Sequence, residues 1–89
     1  MHKLIYAKKA LQDLKKLDKP IAKRIIKKLL FFSEQKDPLK FAKRLSDPRI
    51  GEYRFRIGEY RVLFDADSKG KIKILMILRI KNRKDIYDL

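Results

Sequence analysis

Three arginines, Arg54, Arg56 and Arg61, lie in a stretch that alternates apolar and cationic residues, Tyr53-Arg54-Phe55-Arg56-Ile57-Gly58-Glu59-Tyr60-Arg61-Val62-Leu63-Phe64. A guanidinium fork pairs bidentately with phosphate oxygens, so arginines gathered on one surface suit the holding of a phosphate. Two alternating runs, Tyr53 to Ile57 and Tyr60 to Phe64, flank Gly58-Glu59. That pattern predicts a two-residue β-hairpin, with Gly first as a type II′ turn prefers. The turn also sets the register: Ile57 faces Tyr60, Arg56 faces Arg61, Phe55 faces Val62 and Arg54 faces Leu63. Side chains alternate between faces, so Arg54, Arg56 and Arg61 share one side, opposite Tyr53, Phe55, Ile57, Tyr60, Val62 and Phe64. Like charges directly opposite are destabilising, and Arg56 against Arg61 is explained by an anion held between them. Arg54 has two readings. It either serves the same anion or neutralises Asp65, which lies diagonal to it and across from Glu52.

Further cations extend the candidate surface. Lys19, Lys23, Arg24, Lys27 and Lys28 line one side of a predicted helix with no acid between them, as a solvated face or a long-range attraction for RNA. The segment Arg79-Ile80-Lys81-Asn82-Arg83-Lys84-Asp85-Ile86-Tyr87 adds cations and one aromatic ring. Tyr87 either stacks on a splayed base or tucks with Ile86 against the sheet. Lys73 and Arg79 are expected on the arginine side and join Lys23, Arg24, Lys27 and Lys28 as RNA contacts. Conventional catalytic sets are missing. His2 is the only histidine, Gly51, Gly58 and Gly70 are single turn glycines, and Glu52, Glu59, Asp65 and Asp85 fall at no useful spacing. Neither a metal nor a cofactor is expected.

The elements that position these residues follow from periodicity. Leu4 to Tyr6 reads as a first strand, and Ala7 to Leu17 places Ala7, Ala10, Leu11, Leu14 and Leu17 on one helical face. Asp18 is expected to cap a second helix, with Pro20 in its first turn, that runs to about Glu34. Its buried stripe is Ile21, Ile25, Leu29 and Phe32, flanked by Ile26 and Leu30. Asp37-Pro38 breaks it, and Leu39 to Leu45 is expected to form a short third helix. After the hairpin, Asp67 to Gly70 forms a turn and Lys71 to Ile80 a third meander strand. In that strand Ile72, Ile74, Met76, Leu78 and Ile80 are expected to face the helices, with Lys73, Leu75, Ile77 and Arg79 on the other side. The expectation is one α+β domain over residues 1–89, with an N-terminal strand and helical hairpin packed on one face of a small antiparallel sheet.

Composition agrees with a charged partner. With 25 Lys+Arg against 11 Asp+Glu, the formal net charge is +14, which favours a polyanion or an acidic protein surface. A chain of 89 residues with 45% hydrophobic residues supports one modest core. The absence of cysteine suits a reducing cytoplasm, and the apolar run Ile74 to Leu78 is far too short to span a bilayer. No signal-peptide apolar region precedes Lys8 and Lys9. A soluble, cytoplasmic protein without a membrane partner is expected.

The hairpin motif from Gly51 to Phe64, with Arg83-Lys84-Asp85-Ile86-Tyr87, resembles the RelE/ParE superfamily of toxins from type II toxin–antitoxin systems. The opening helical hairpin fits as well, so the resemblance covers essentially the whole chain. It implies a microbial RNase-like fold and, for RelE, cleavage of mRNA in the ribosomal A site by attack of the RNA's own 2′-hydroxyl. It implies a RelB-like antitoxin as partner, together with the ribosome and its RNA. The RelE site residues fall here on Arg54, Arg56, Arg61, Lys81 or Arg83, and Tyr87. Lys81 stands where the RelE pattern has an arginine, and Arg54 where it has a lysine proposed as base. ParE-like members share the fold, tend to lack the basic set and inhibit DNA gyrase. The cation set here favours the RelE side, with a gyrase inhibitor or a plain RNA-binding relative as alternatives.

Overall fold

The computed structural model describes residues 1–86. Strand β1 (Lys3–Tyr6) leads into helices α1 (Lys8–Lys15) and α2 (Lys19–Ser33), a 3₁₀ turn (Pro38–Phe41) and the short strand β2 (Ala42–Arg44). Strands β3 (Tyr53–Ile57), β4 (Tyr60–Lys69) and β5 (Ile72–Asn82) follow, and a second 3₁₀ turn (Arg83–Asp85) closes the described chain. The five strands form one sheet in the order β1-β5-β4-β3-β2. The expected α+β architecture is present, and the sheet is mixed: β2 to β5 pair antiparallel, whereas β1 joins the edge of β5 in parallel. A parallel partner needs a crossover rather than a tight turn, and α1, α2 and the meander supply it.

The helices form as their apolar spacing requires. On α2, Ile25, Leu29 and Phe32 are buried and Ile21 packs partly against them, while the flanking Ile26 and Leu30 stay exposed. Pro20 sits in the first turn of α2, but the Asp18 side chain makes no capping bond. The segment expected as a third helix is instead the 3₁₀ turn and β2. Asp37 accepts the Leu39 amide to start the turn, and Ala42, Lys43 and Arg44 then pair with Phe55, Arg54 and Tyr53. The edge of the hairpin had unpaired backbone groups to satisfy, and three residues of β2 satisfy them.

The turn at the β4–β5 corner is also tighter than expected. Pairing continues to Lys69↔Ile72, leaving Gly70 at φ +59 as the first residue of a two-residue connection. Gly58 plays the same part at φ +58 between β3 and β4. Both positions need the left-handed backbone that glycine adopts without strain.

One irregularity decides which residues of β5 face where. Leu63 pairs with Arg79 but Phe64 pairs with Ile77, so Leu78 is an extra residue, a β-bulge. Before it, Leu75 and Ile77 lie fully buried in the core; after it, the core position passes to Ile80. The alternation expected for an unbroken strand is therefore corrected. Leu75 and Ile77 face the helices, Lys73 shares their parity, and among Ile72, Ile74, Met76, Leu78 and Ile80 only Ile80 belongs to the buried core cluster.

The core is organised around a column of aromatic rings. Tyr53 lies 5.6 Å from Phe64, Phe64 4.2 Å from Phe55, and Phe55 4.4 Å from Phe32, all between centroids and with interplanar angles of 27°, 14° and 21°. Phe32 then meets Phe41 at 5.3 Å and 30°. Such pairs contribute about 0.5–1.5 kcal/mol each beyond their burial. Phe32 carries the stack from the sheet into α2, and Phe41 carries it out to the surface.

Asp13 fixes α1 to the end of β5 beyond the reach of β1. Its Oδ2 accepts the Ile80 amide at 2.9 Å, and the Arg79 guanidinium donates to both carboxylate oxygens at 2.9 and 3.1 Å. Burial acts to raise the carboxyl pKa, but the bonds from Arg79 and Ile80 and the charges of Arg79 and Lys81 hold it below the ordinary value. A carboxylate whose pKa is depressed on folding stabilises the fold above its unfolded pKa and loses that contribution as the pH falls through the folded value. Asp13→Ala should cost about 1–2 kcal/mol at neutral pH, the lower part of the range for charged hydrogen bonds because Arg79 is partly exposed. The gap between the two proteins in urea melts should narrow as the pH falls below the ordinary carboxylate range, since the Asp13 contribution is lost as the folded carboxyl takes up its proton.

Candidate functional site

The hairpin register is the expected one. Arg56 stands across from Arg61, and Arg61 in turn stands across from Lys81 on β5. A row of three cations thus crosses three strands at spacings of roughly 4.8 Å. The adjoining row runs Lys43, Arg54, Leu63, Arg79. Lys81 reaches this face because of the bulge at Leu78: with unbroken alternation it would share the side of Leu75 and Ile77.

Charge in the row is left largely uncompensated. Ion pairs among the described residues join Arg49 to Asp47, Arg79 to Asp13 and Arg83 to Glu59, and none involves Arg54, Arg56, Arg61 or Lys81. The acids expected to neutralise Arg54 are engaged elsewhere. Asp65 accepts the Glu52 amide at 2.9 Å, and Glu52 accepts the Ala66 amide at 3.0 Å. Glu59 is held by Arg83, whose Nε lies 2.7 Å from Oε2 and whose amide donates to the Glu59 carbonyl at 2.8 Å.

Arg61 is the most constrained member. Its guanidinium donates to the carbonyls of Gly58 and Tyr60 at 2.9 and 3.0 Å. Burial, followed by the charges of Arg56, Arg54 and Arg83, pushes its pKa down, against a smaller opposing effect of Glu59. An anion placed there would offset the repulsion from the neighbouring guanidiniums and favour the charged form. Beside the row is an open cleft of about 450 Å³ lined by Lys40, Phe41, Ala42, Lys43, Arg54, Arg56 and Arg61. A larger cleft of about 720 Å³ adjoins Lys81, with Leu63 and Leu78 at its floor and Lys8, Lys9 and Arg49 among its lining. Among the described residues, no group of three or more His, Cys, Asp or Glu gathers as a metal site. No helix among them is long and apolar enough to cross a membrane.

The family profile described as the ParE toxin of the type II toxin–antitoxin system parDE matches residues 4–87, nearly the whole chain. The chain belongs to this family of toxins. Solved structures agree in fold. The RelBE2 toxin–antitoxin complex from Mycobacterium tuberculosis contains a chain 27% identical, with a TM-score of 0.72 over 92% of this toxin and 98% of that chain. The RelB–RelE antitoxin–toxin complex from Methanococcus jannaschii contains another at 27% identity and TM-score 0.61, covering 94% and 95% of the two chains. The YoeB/ParE toxin from Agrobacterium tumefaciens shares the fold at 15% identity, TM-score 0.62, over 90% and 97%. No curated protein matches the sequence. The toxin is thus a member of the RelE/ParE superfamily.

Within the toxin, the structure gathers Arg54, Arg56, Arg61 and Lys81 on one face and sets Arg83 beside them at the hairpin tip. Tyr87 lies outside the described residues. The remaining expected RNA contacts are dispersed. Lys23, Arg24, Lys27 and Lys28 belong to α2, in the layer behind the sheet, but Arg24 reaches the hairpin tip, where its guanidinium would lie 2.8 Å from a Cβ at Gly58. Lys28 sits over the rings of Phe31 and Phe32 at 5.0 and 5.5 Å, a cation–π contact. The Lys73 amide donates to His2 Nδ1, and Arg79, although on the outer row, turns back to Asp13. Lys40, Phe41 and Lys43 also join the site, which the helix expected over Leu39 to Leu45 does not foresee. No alternation marks Lys40-Phe41-Ala42-Lys43-Arg44, so the local pattern does not separate a strand from a helical turn.

Opposed guanidiniums cost stability. Arg56→Gln should raise the melting temperature at low salt, by the equivalent of about 0.2–1 kcal/mol. The gain should fade at about 1 M salt, where the Debye length is roughly 3 Å. Scanning calorimetry at the two salt concentrations checks both.

Proposed function

We propose that this toxin is an endoribonuclease that cuts mRNA in the ribosomal A site and so inhibits translation. The observation that carries the reading is the Arg56–Arg61–Lys81 row, cationic on three adjacent strands and without an ion pair among the described residues. RNA brings its own nucleophile. Attack of the 2′-hydroxyl on the adjacent phosphorus releases the 5′-oxygen and leaves a 2′,3′-cyclic phosphate. The protein must orient the chain, accept the hydroxyl proton, return one to the leaving oxygen and stabilise the phosphorane. Arg56 and Arg61 are fitted to the last task, since fixed donors at the site of developing charge need no reorganisation. Arg54 extends the clamp as a permanent cation, a poor proton acceptor. Lys81, across from Arg61, stands in the row as the candidate donor to the leaving oxygen, with Arg83 and Tyr87 completing the set.

The partners follow from the same charge. The net charge of +14 draws the toxin to ribosomal RNA through long-range attraction, and the α2 stripe contributes to that field. A RelB-like antitoxin is the proposed protein partner, as in the complexes from M. tuberculosis and M. jannaschii. Ribosomal RNA and an antitoxin as partners support a cytoplasmic site of action. A second reading, inhibition of DNA gyrase without nuclease activity, is favoured by the ParE description of the matching profile.

Primer extension on translated mRNA after induction separates the two. Codon-phased breaks are expected, and Arg61→Ala should reduce cleavage roughly 10²–10³-fold while the protein stays folded. Loss of supercoiling with intact mRNA would overturn the nuclease reading in favour of gyrase. Undiminished cleavage by Arg61→Ala would remove Arg61 from the site.

A further inference from the structure

We infer that Phe41 is a stacking platform for a nucleobase of the RNA strand whose phosphate lies on Arg56 and Arg61, an inference that rests on the RNA-binding reading of that face. Phe41 is a large apolar side chain at 46% exposure, at the end of the 3₁₀ turn and immediately before β2. Water-facing phenylalanines are common singly, but this one borders a charged cleft. The other side chains lining that cleft are Lys40, Lys43, Arg54, Arg56, Arg61 and the methyl of Ala42. Five cations and one ring, with no carboxylate among them, is the composition of a groove that tracks a phosphate backbone while a base finds an aromatic face.

The ring is also held as a platform needs to be. One side rests against Phe32 at 5.3 Å and 30°, and Phe31 meets it edge-on at 6.2 Å and 72°. Phe32 stacks in turn on Phe55, which stacks on Phe64 in the core. The backbone is set by the Asp37 bond to the Leu39 amide and by the pairing of Ala42 with Phe55. Phe41 is therefore the outer end of a five-ring column, and a base stacked on it becomes the next member. Side-chain immobilisation has been met in the free protein, so binding loses little rotamer freedom. The adjacent exposed Phe31 widens the apolar border but does not line the cleft.

The test compares two short fluorescein-labelled single-stranded RNAs of equal length, one intact and one with abasic ribose at its interior positions. At low salt the strongly basic toxin will hold either through phosphates, so the informative quantity is the ratio of their affinities by fluorescence anisotropy. Wild type should prefer the intact RNA, and Phe41→Ala should weaken that complex about tenfold or more while leaving the abasic complex unchanged. Phe41→Leu, which keeps an apolar contact with Phe32, should behave like Ala, and Phe41→Tyr should keep the preference. In a Phe41→Trp variant the indole fluorescence should be quenched by the intact RNA and not by the abasic one. Equal wild-type affinity for the two RNAs, or a Phe41→Ala loss shared by both, overturns the proposal. So does a variant that binds RNA normally yet escapes neutralisation by the antitoxin, which would assign the ring to a protein partner. Arg56→Ala weakening both RNAs alike would still uphold the phosphate site, so the two readings fail separately.

Discussion

The extra residue at Leu78 is the constraint on which the rest of the sheet depends. A strand that must bury Leu75 and Ile77 on one side and later present Lys81 on the other has broken parity, and only an inserted residue reconciles the two demands. The bulge lets Ile80 take over the core position, which turns Arg79 and Lys81 outward together. Arg79 is then near enough to α1 to engage Asp13, and Asp13 also takes the Ile80 amide that β1 is too short to pair. One local irregularity thus links the core, the sheet edge and the cationic row. On the outer side it is covered by the β2–β3 connection, where Gly51 passes so close that a Cβ would lie 3.3 Å from Leu78. With φ at +143 that position also disfavours any side-chain-bearing residue.

The two sides of the sheet carry opposite balances. The helix side gains from buried aliphatic residues and a continuous aromatic stack, both of which need only shape and apolarity. The outer side sets like charges against one another, a local arrangement that opposes folding. A single modest core in a chain of this size leaves little reserve, so the outer cations persist at the expense of stability the inner face supplies. Local choices that contradict stability are expected where function is concentrated. The three ion pairs support this division, since each ties down a residue at the margin of the row and leaves the row itself open.

What the sequence made legible follows the same physics. The β3–β4 hairpin could be read to the residue, because Gly58-Glu59 fixes both turn and register and six apolar residues choose the face. The α2 stripe was legible for the equivalent reason at helical spacing. Three features were not. The Leu78 bulge leaves no mark in an apolar run, Ile74 to Leu78, where every alternate choice of face buries something acceptable. Strand β2 is three residues long and exists because the edge of β3 offers it partners. The parallel joining of β1 to β5 is a long-range event that no local pattern encodes. Of the site, the arginines were visible and Phe41 was hidden, since its meaning depends on the ring of Phe32 behind it and the guanidiniums beside it.

The choice of arginine for most of the row has its own logic. Cations held on neighbouring strands repel one another, and partial burial adds to the pressure to lose charge; both act on Arg61. A lysine under that pressure responds by shedding its proton, which suits a base but weakens an electrostatic clamp. Arginine starts from a pKa so high that the same pressure leaves it charged at neutral pH. On the proposed nuclease reading, Arg54, which stands where the RelE pattern has a lysine, therefore supplies permanent charge rather than proton transfer. Lys81 stands where that pattern has an arginine, and on the same reading it is the member of the row whose side chain is suited to proton transfer. Arg56 and Arg61, on β3 and β4, are on that reading the members fitted to stay charged beside a phosphate.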